Sequence, residues 1–180
     1  PQFFDELSRH GIEVATFHPL NPSKIWKINN RDHRKLIVVD GLVGFTGGIN
    51  ICDPYAEAST SKPGPSMGIS NAWRDTHAEL RGPAVALLQT KFIQTWKMLG
   101  MPITLPDEGV FPRLASSGGD LVQVVSSDGG DEREFRIYNA YLEAIKHAEQ
   151  RIWISQAYFA PDRRFRKALT KAAKRGVDVR

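Results

Sequence analysis

Segments with strand and helix patterns alternate along the chain, and this alternation restricts the fold more than any other feature of the sequence. Short runs of β-branched and other apolar residues predict strands, and amphipathic runs predict helices. Their alternation predicts an α/β fold with a mostly parallel sheet flanked by helices. The predicted strands cover residues 12–17, 35–39, 43–46, 76–80, 121–125, 151–155 and 177–179, and the predicted helices cover residues 2–10, 83–99, 134–148 and 163–175.

The chain is predicted to hold parts of two repeats. Turn residues cluster before residue 121, so we predict a first domain over residues 1–115, a linker over 116–120 and a second domain over 121–180. The segments RHGIEVATFHP (9–19) and KRGVDVR (174–180) share basic residues, a glycine and then alternating apolar residues. We therefore interpret the chain as the rear of one repeat and the front of a second, within a longer protein.

Two further stretches of turn residues have a predicted role. Asp40-Gly41 lies between two apolar strands and is a signal for a hairpin turn. Residues 53–71 are rich in Gly, Pro, Ser and Asn and predict a long loop.

Charge and composition exclude several classes of protein. The net charge is +4, yet residues 151–180 alone carry nine Lys/Arg and two acidic residues. This basic segment would suit an anionic partner such as phospholipid headgroups or nucleic acid, and would equally suit a solvated helix face. The single cysteine excludes an internal disulfide and a cysteine-cluster metal site. No apolar run approaches the ~20 residues of a membrane-spanning helix.

The segment HRKLIVVDGLVGFTGGIN carries the strongest chemical signal. A His, a Lys and an Asp at these spacings alone would occur by chance in about 1% of chains this long. The trailing Gly-Gly-x-Asn lowers that chance by roughly three to four decades. The six residues of the pattern are His33, Lys35, Asp40, Gly47, Gly48 and Asn50.

These residue types suit a phosphate-containing substrate. His33 and Lys35 are two apart on a strand and are expected to share one face. Lys35 would supply a point charge to a phosphate oxygen, and His33 would act as a nucleophile or proton carrier. Gly47 and Gly48 would let the backbone approach an anion, and the Asn50 amide would donate to it.

The pattern resembles the HxKxxxxD motif of the phospholipase D superfamily with its trailing Gly-Gly-x-Asn element. The segments NRDHRKLIVVDG, GFTGGINI, WRDTHAELRGPAV and YFAPD, and the pair Phe92 and Trp96, resemble the bacterial cardiolipin synthase branch. This resemblance covers nearly the whole chain. It implies a phospholipase D-like fold in which two motifs, one in each repeat, face each other.

The resemblance also implies a mechanism without metal or cofactor. One His attacks the phosphodiester phosphorus and forms a phosphohistidine, while the other His protonates the leaving alcohol and then deprotonates the incoming water or alcohol. His33 is the preferred nucleophile, although the sequence does not assign the two roles. Lys35 and Asn50 would hold the non-bridging oxygens.

Further site residues follow from the resemblance or from position. Asp40, on the opposite strand parity from His33, is included with the catalytic residues as an orienting group, and a plain turn residue is the equal alternative. Asp75 would fix the His33 tautomer, or else be a charge at a strand edge. Trp73, Arg74 and Tyr158 would line the headgroup pocket. His77 is expected to be an exposed strand residue.

The chain contains no second H-x-K-x4-D pattern, which is expected to lie after Arg180. The chain by itself is therefore expected to be nearly inactive. The function expected of the parent protein is condensation of two phosphatidylglycerols to cardiolipin and glycerol, with an anionic phospholipid surface as its partner, peripheral on the bacterial cytoplasmic membrane. The alternatives are hydrolysis of phospholipid or nucleic acid, and a non-catalytic anion-binding module. Nucleic acid is the less favoured substrate.

Overall fold

The computed structural model describes residues 2–17, 32–52, 75–101, 103, 109–127 and 135–180. The chain divides into two compact units, residues 1–124 and 125–180. The loop predicted over 53–71 lies outside the described residues. In the described ranges, no helix has the length and apolar character needed to cross a bilayer. The division into two phospholipase D-like repeats remains a prediction.

The first unit combines two helices with a small sheet. The three strands form an antiparallel sheet in the order β1-β2-β3. Each of these elements matches its predicted position to within one residue at either end. The elements are α1 (Gln2–Arg9), β1 (Lys35–Val39), β2 (Val43–Gly47), β3 (His77–Arg81) and α2 (Ala84–Met98).

The hairpin between β1 and β2 forms at the predicted Asp-Gly pair. Asp40 has φ 53° and Gly41 has φ 68°, and the Leu42 N–H donates to the Val39 carbonyl at 2.9 Å. Positive φ at both central residues is the geometry that matches the right-handed twist of paired strands, and Asp and Gly tolerate it best.

Helix α2 covers one face of this sheet. Leu88 of α2 packs over Gly44, where a Cβ atom would lie 2.7 Å from the Leu88 Cδ1. Gly44 pairs with Val38, while Ile37 and Val39, of the other parity, are largely exposed. Even-numbered residues of β1 therefore point toward α2, and odd-numbered residues point away from it. The buried residues of α2 are Val85, Leu88 and Ile93.

The second unit is a short β–α–β arrangement preceded by a helix. Its elements are α3 (Arg136–His147), β4 (Arg151–Ile152), α4 (Arg163–Lys174) and β5 (Asp178–Val179). Strands β4 and β5 pair in parallel, which requires a crossover such as α4. The buried core of this unit is formed by Ile145, Ala172 and Val177, with Ile152, Phe165 and Leu169 packed against it.

Asp162 caps α4 as its position in the sequence predicts. Its Oδ1 accepts from the Phe165 N–H at 2.7 Å, and its Oδ2 accepts from the Tyr138 hydroxyl at 2.7 Å. These two hydrogen bonds, the Phe165 one foremost, hold the pKa of Asp162 below its ordinary value. Gly176, with φ 91°, ends the helix.

Four fold predictions need correction. Residues 12–17 and 121–125 are not strands, because an apolar pattern becomes a strand only where another strand completes its backbone hydrogen bonds. The Ile12 N–H instead donates to the Leu7 carbonyl and closes the end of α1. The predicted mostly parallel sheet is not found among the described strands, since the short β1–β2 connection permits only antiparallel pairing. The strand predicted over 151–155 is reduced to Arg151–Ile152.

Candidate active site

The ends of three neighbouring strands bring together the His-x-Lys and the Gly-Gly-x-Asn parts of the predicted motif. Lys35, at the start of β1, pairs with Gly47 at the end of β2, and Gly47 pairs with His77 at the start of β3. Beyond these pairs, the Gly48 N–H donates to the Thr76 carbonyl at 3.1 Å. Lys35, Gly47 and His77 therefore lie side by side at one end of the three-stranded sheet.

His33 and Lys35 are in direct contact, as their spacing predicts. The Lys35 Nζ lies 2.9 Å from His33 Nδ1 and donates to the His33 carbonyl at 2.7 Å. An ammonium group can only donate, so Nδ1 accepts and the ring proton is carried by Nε2. In this arrangement His33 presents an Nε2–H donor.

A clamp on the residues flanking His33 holds this segment against α2. Arg34 donates from Nε and Nη2 to the two carboxylate oxygens of Asp32, each at 2.9 Å, and from Nη2 to the Thr95 hydroxyl of α2 at 2.8 Å. Burial raises the pKa of Asp32, but the hydrogen bonds and charge of Arg34 outweigh burial and leave it below the ordinary value. Because Arg34 reaches α2, His33 and Lys35 project from the opposite face. This clamp was not predicted from the sequence. Its signal there is the Asp-x-Arg pair that alternates with the His-x-Lys pair.

Asp75 lies directly against Gly48. A Cβ atom at Gly48 would be 2.2 Å from both carboxylate oxygens of Asp75. The Asp75 Oδ1 accepts from the Thr76 N–H at 2.7 Å. No hydrogen bond joins Asp75 to His33 within the described part of the chain, so the predicted orientation of His33 by Asp75 remains a hypothesis. Since the Gly48 N–H is taken by Thr76, Gly48 contributes space here rather than an amide donor.

His77 differs from its prediction. Its side chain is half-buried, and its Nδ1 is buried without a hydrogen-bond partner. A Cβ atom at Gly47 would lie 2.8 Å from this Nδ1, so the ring lies against Gly47. This contact could not be predicted from the sequence, because Gly47 and His77 are thirty positions apart. The one sequence signal for it is a glycine in the strand that pairs with the strand of His77.

Asp40 lies in the hairpin turn at the far end of β1 from His33. Seven residues of extended chain span roughly 23 Å, which is too far for Asp40 to act on a group held by His33. We therefore remove Asp40 from the residues that could touch a substrate and assign it to the turn. Asn50 is half-buried just beyond Gly48.

The predicted pocket residues lie either outside the described residues or in the second unit. Trp73 and Arg74 lie outside the described residues. Tyr158 belongs to the second unit, where its side chain is 91% exposed. It lines an open groove of about 810 Å³ within that unit, whose aromatic residues are Tyr138, Tyr141, Trp153, Tyr158, Phe159 and Phe165.

Comparison with known proteins finds similarity to one family. Residues 141–180 match the family described as "Cardiolipin synthase, PLD-like domain". The chain is 39% identical to cardiolipin synthase A of Pseudomonas syringae pv. syringae over 188 aligned positions, which cover 99% of this chain and 35% of that protein. It is 38% identical to the cardiolipin synthase of Geobacillus kaustophilus, covering 99% of this chain and 34% of that protein. It is 37% identical to the major cardiolipin synthase ClsA of Bacillus subtilis, covering 99% and 36%.

The chain thus spans about a third of the length of the curated relatives it matches. No solved structure matches it significantly. The similarity to the relatives runs through the His33 site and both compact units, because it covers 99% of the chain. By these comparisons, the chain is similar over nearly its whole length to cardiolipin synthases, and its residues 141–180 match their PLD-like domain.

Proposed function

We propose that this chain is part of a phosphatidyl transferase that condenses two phosphatidylglycerols into cardiolipin and glycerol. The observation that carries the proposal is the pairing of His33 with Lys35 on the side of the sheet opposite α2, in a chain 37–39% identical to cardiolipin synthases. A neutral imidazole next to an ammonium group is the pair that attack on an anionic phosphodiester needs.

In the proposed reaction His33 forms a bond to the phosphodiester phosphorus, and the bond from phosphorus to the glycerol oxygen breaks. A second His, supplied by a second motif, gives its proton to the departing glycerol. The terminal hydroxyl of another phosphatidylglycerol then returns a proton to that His and attacks phosphatidyl-His33, which releases cardiolipin. Lys35 stabilises the added charge on a non-bridging oxygen during both steps.

The resting contact between Lys35 and His33 must change before attack. Nε2 of His33 carries the proton when Nδ1 accepts from Lys35, and a protonated nitrogen cannot attack phosphorus. An incoming phosphate oxygen would draw the Lys35 ammonium toward itself and free Nδ1 to take the ring proton. We propose that the carboxylate of Asp75, which lies against Gly48, then accepts a hydrogen bond from that Nδ1–H.

The proposal is tested by lipid analysis of the full-length protein incubated with phosphatidylglycerol vesicles. Cardiolipin and glycerol in equal amounts are expected. Phosphatidic acid alone would establish hydrolysis, with water as the acceptor. Absence of any lipid product, with cleavage of an added single-stranded oligonucleotide, would replace the lipid proposal with a nuclease. We expect the 180-residue chain alone to have little of the full-length activity.

The basic charge of helix α4 supports the proposal that the partner of this enzyme is an anionic membrane surface. It contains no acidic residue, and its outer face is exposed. Lys167, Lys171 and Lys174 are spaced at i, i+4 and i+7, so they lie on one face of the helix. None of the three has a carboxylate within salt-bridge distance in the ranges that the structure describes. Such a face attracts anionic headgroups by roughly 1 kcal/mol for each Lys.

Replacing Lys167, Lys171 and Lys174 together with Gln is expected to weaken binding to phosphatidylglycerol vesicles about 100-fold, because three such attractions are lost. Vesicle co-sedimentation at low and high salt measures the change in binding. A control with Arg9, Lys97 and Arg113 replaced by Gln removes the same net charge from the first unit. Equal losses in both triple variants would contradict a role specific to α4.

A further inference from the structure

The His77 imidazole has an unexplained geometry. Its Nδ1 is buried without a partner, whereas Nε2 of the same ring, which also has no hydrogen-bond partner among the described residues, is not buried. A buried N–H without an acceptor is rarer and costlier than a buried acceptor without a donor. The ring proton is therefore on Nε2, and His77 presents a fixed Nε2–H donor at the less buried side of the ring.

The sheet register places this donor opposite Lys35. Lys35 pairs with Gly47, and Gly47 pairs with His77, so Lys35 and His77 flank Gly47. Side chains of directly paired residues project from the same face of a sheet. The Cα atoms of Lys35 and His77 are two strand spacings apart, about 10 Å, and the His77 ring lies against the glycine between them.

Gly47 is required for this arrangement. A Cβ atom there would lie 2.8 Å from His77 Nδ1 and 2.4 Å from the Thr76 carbonyl oxygen. Any side chain would thus push the imidazole away from the strand. The glycine therefore leaves room for the His77 ring beside β2.

We propose that His77 is a phosphate-binding residue, whose Nε2–H donates to one non-bridging oxygen of the phosphodiester while Lys35 holds the other. A tetrahedral phosphate with two non-bridging oxygens suits two donors that flank a glycine on one face of a sheet. Since charge on those oxygens grows as phosphorus becomes five-coordinate, the His77 contact strengthens in the transition state. The assignment to the lipid phosphodiester rests on the proposed function.

The first test compares two variants of the full-length protein. His77→Phe keeps a ring against Gly47 but removes the donor, and kcat/KM with phosphatidylglycerol is expected to fall about 100-fold. His77→Gln keeps an amide N–H near the Nε2 position and is expected to recover most of that loss. Melting temperatures identify any loss of folding. Wild-type kcat/KM in His77→Phe, or equal losses in both variants, would overturn the proposal.

The second test does not depend on turnover. The 15N-labelled His side chains of the full-length protein in detergent are observed by NMR while inorganic phosphate is added. We expect the Nε2–H tautomer for His77 and a phosphate-dependent shift of its Nε2 signal, which Lys35→Met weakens. A His77 signal unmoved by phosphate would overturn the inference even if cardiolipin is formed. A shift in a protein that makes no lipid product would preserve the phosphate site and reject the proposed function alone.

Discussion

Replacing His33 with Ala is expected to lower the rate of cardiolipin formation at least about 1000-fold, because it removes the proposed nucleophile of the covalent intermediate. Its side chain is exposed and, among the described residues, hydrogen-bonds only with Lys35, so the melting temperature should be unchanged. The rate is measured as cardiolipin formed from phosphatidylglycerol vesicles by the full-length protein.

The same variant tests which His is the nucleophile. Denaturing the reacting protein in alkaline detergent preserves the phosphorus–nitrogen bond, which acid would hydrolyse. The adduct should then be detected in the wild type and be absent from His33→Ala. His147→Ala is the matched control, since His147 is exposed on α3 and bonds only within its own helix. More than a tenth of the wild-type rate in His33→Ala would contradict the nucleophile assignment. An inactive variant that still forms the adduct would make His33 the proton donor.

Replacing Gly48 with Ala is expected to have the second largest effect. The new Cβ would lie 2.2 Å from both oxygens of Asp75, a distance that no packing tolerates. Asp75 must then move, and the Thr76 N–H that holds it loses its acceptor. Overpacking of this kind costs about 1–3 kcal/mol of stability, and displacement of the carboxylate should lower activity about 100-fold. Thermal unfolding and the cardiolipin assay measure the two effects.

Two further variants separate the effect of overpacking from the effect of displacing the Asp75 carboxylate. Gly119→Ala adds the same methyl group where nothing lies within 4 Å, at a residue without positive φ, so both measurements should match the wild type. Gly48→Ala combined with Asp75→Ala removes the colliding carboxylate and should restore stability while leaving activity low. Restored activity in the double variant would show that Asp75 has no part in the reaction.

Local structure could be predicted wherever the signal is local. The Asp40-Gly41 pair forms its turn because both residues tolerate positive φ, and Asp162 caps α4 because its carboxylate reaches the Phe165 N–H three residues on. The strand predictions over 12–17 and 121–125 were wrong, because a strand also needs a partner that its own residues do not specify. The helices needed no such partner and matched closely.

The candidate site shows the same division between local and distant signals. His33 and Lys35 meet because a two-residue period brings them to one face, and this contact could be predicted from their spacing. The resemblance to the motif included Asp40 as an orienting group, but the strand between the two residues carries Asp40 to the far end of β1. His77 and Asp75 could not be placed against Gly47 and Gly48, since that placement depends on which residue of β3 pairs with which residue of β2.

By itself, the sequence determined the motif, its family and the elements whose signals lie within a few residues of one another. Only the tertiary structure decided what lies beside the motif: Arg34 held between Asp32 and Thr95, Asp75 seated on Gly48, and His77 against Gly47. The reason is physical. Turn, cap and face are set by backbone angles over a few bonds, whereas strand register is set by the summed packing and hydrogen bonding of residues far apart in the chain.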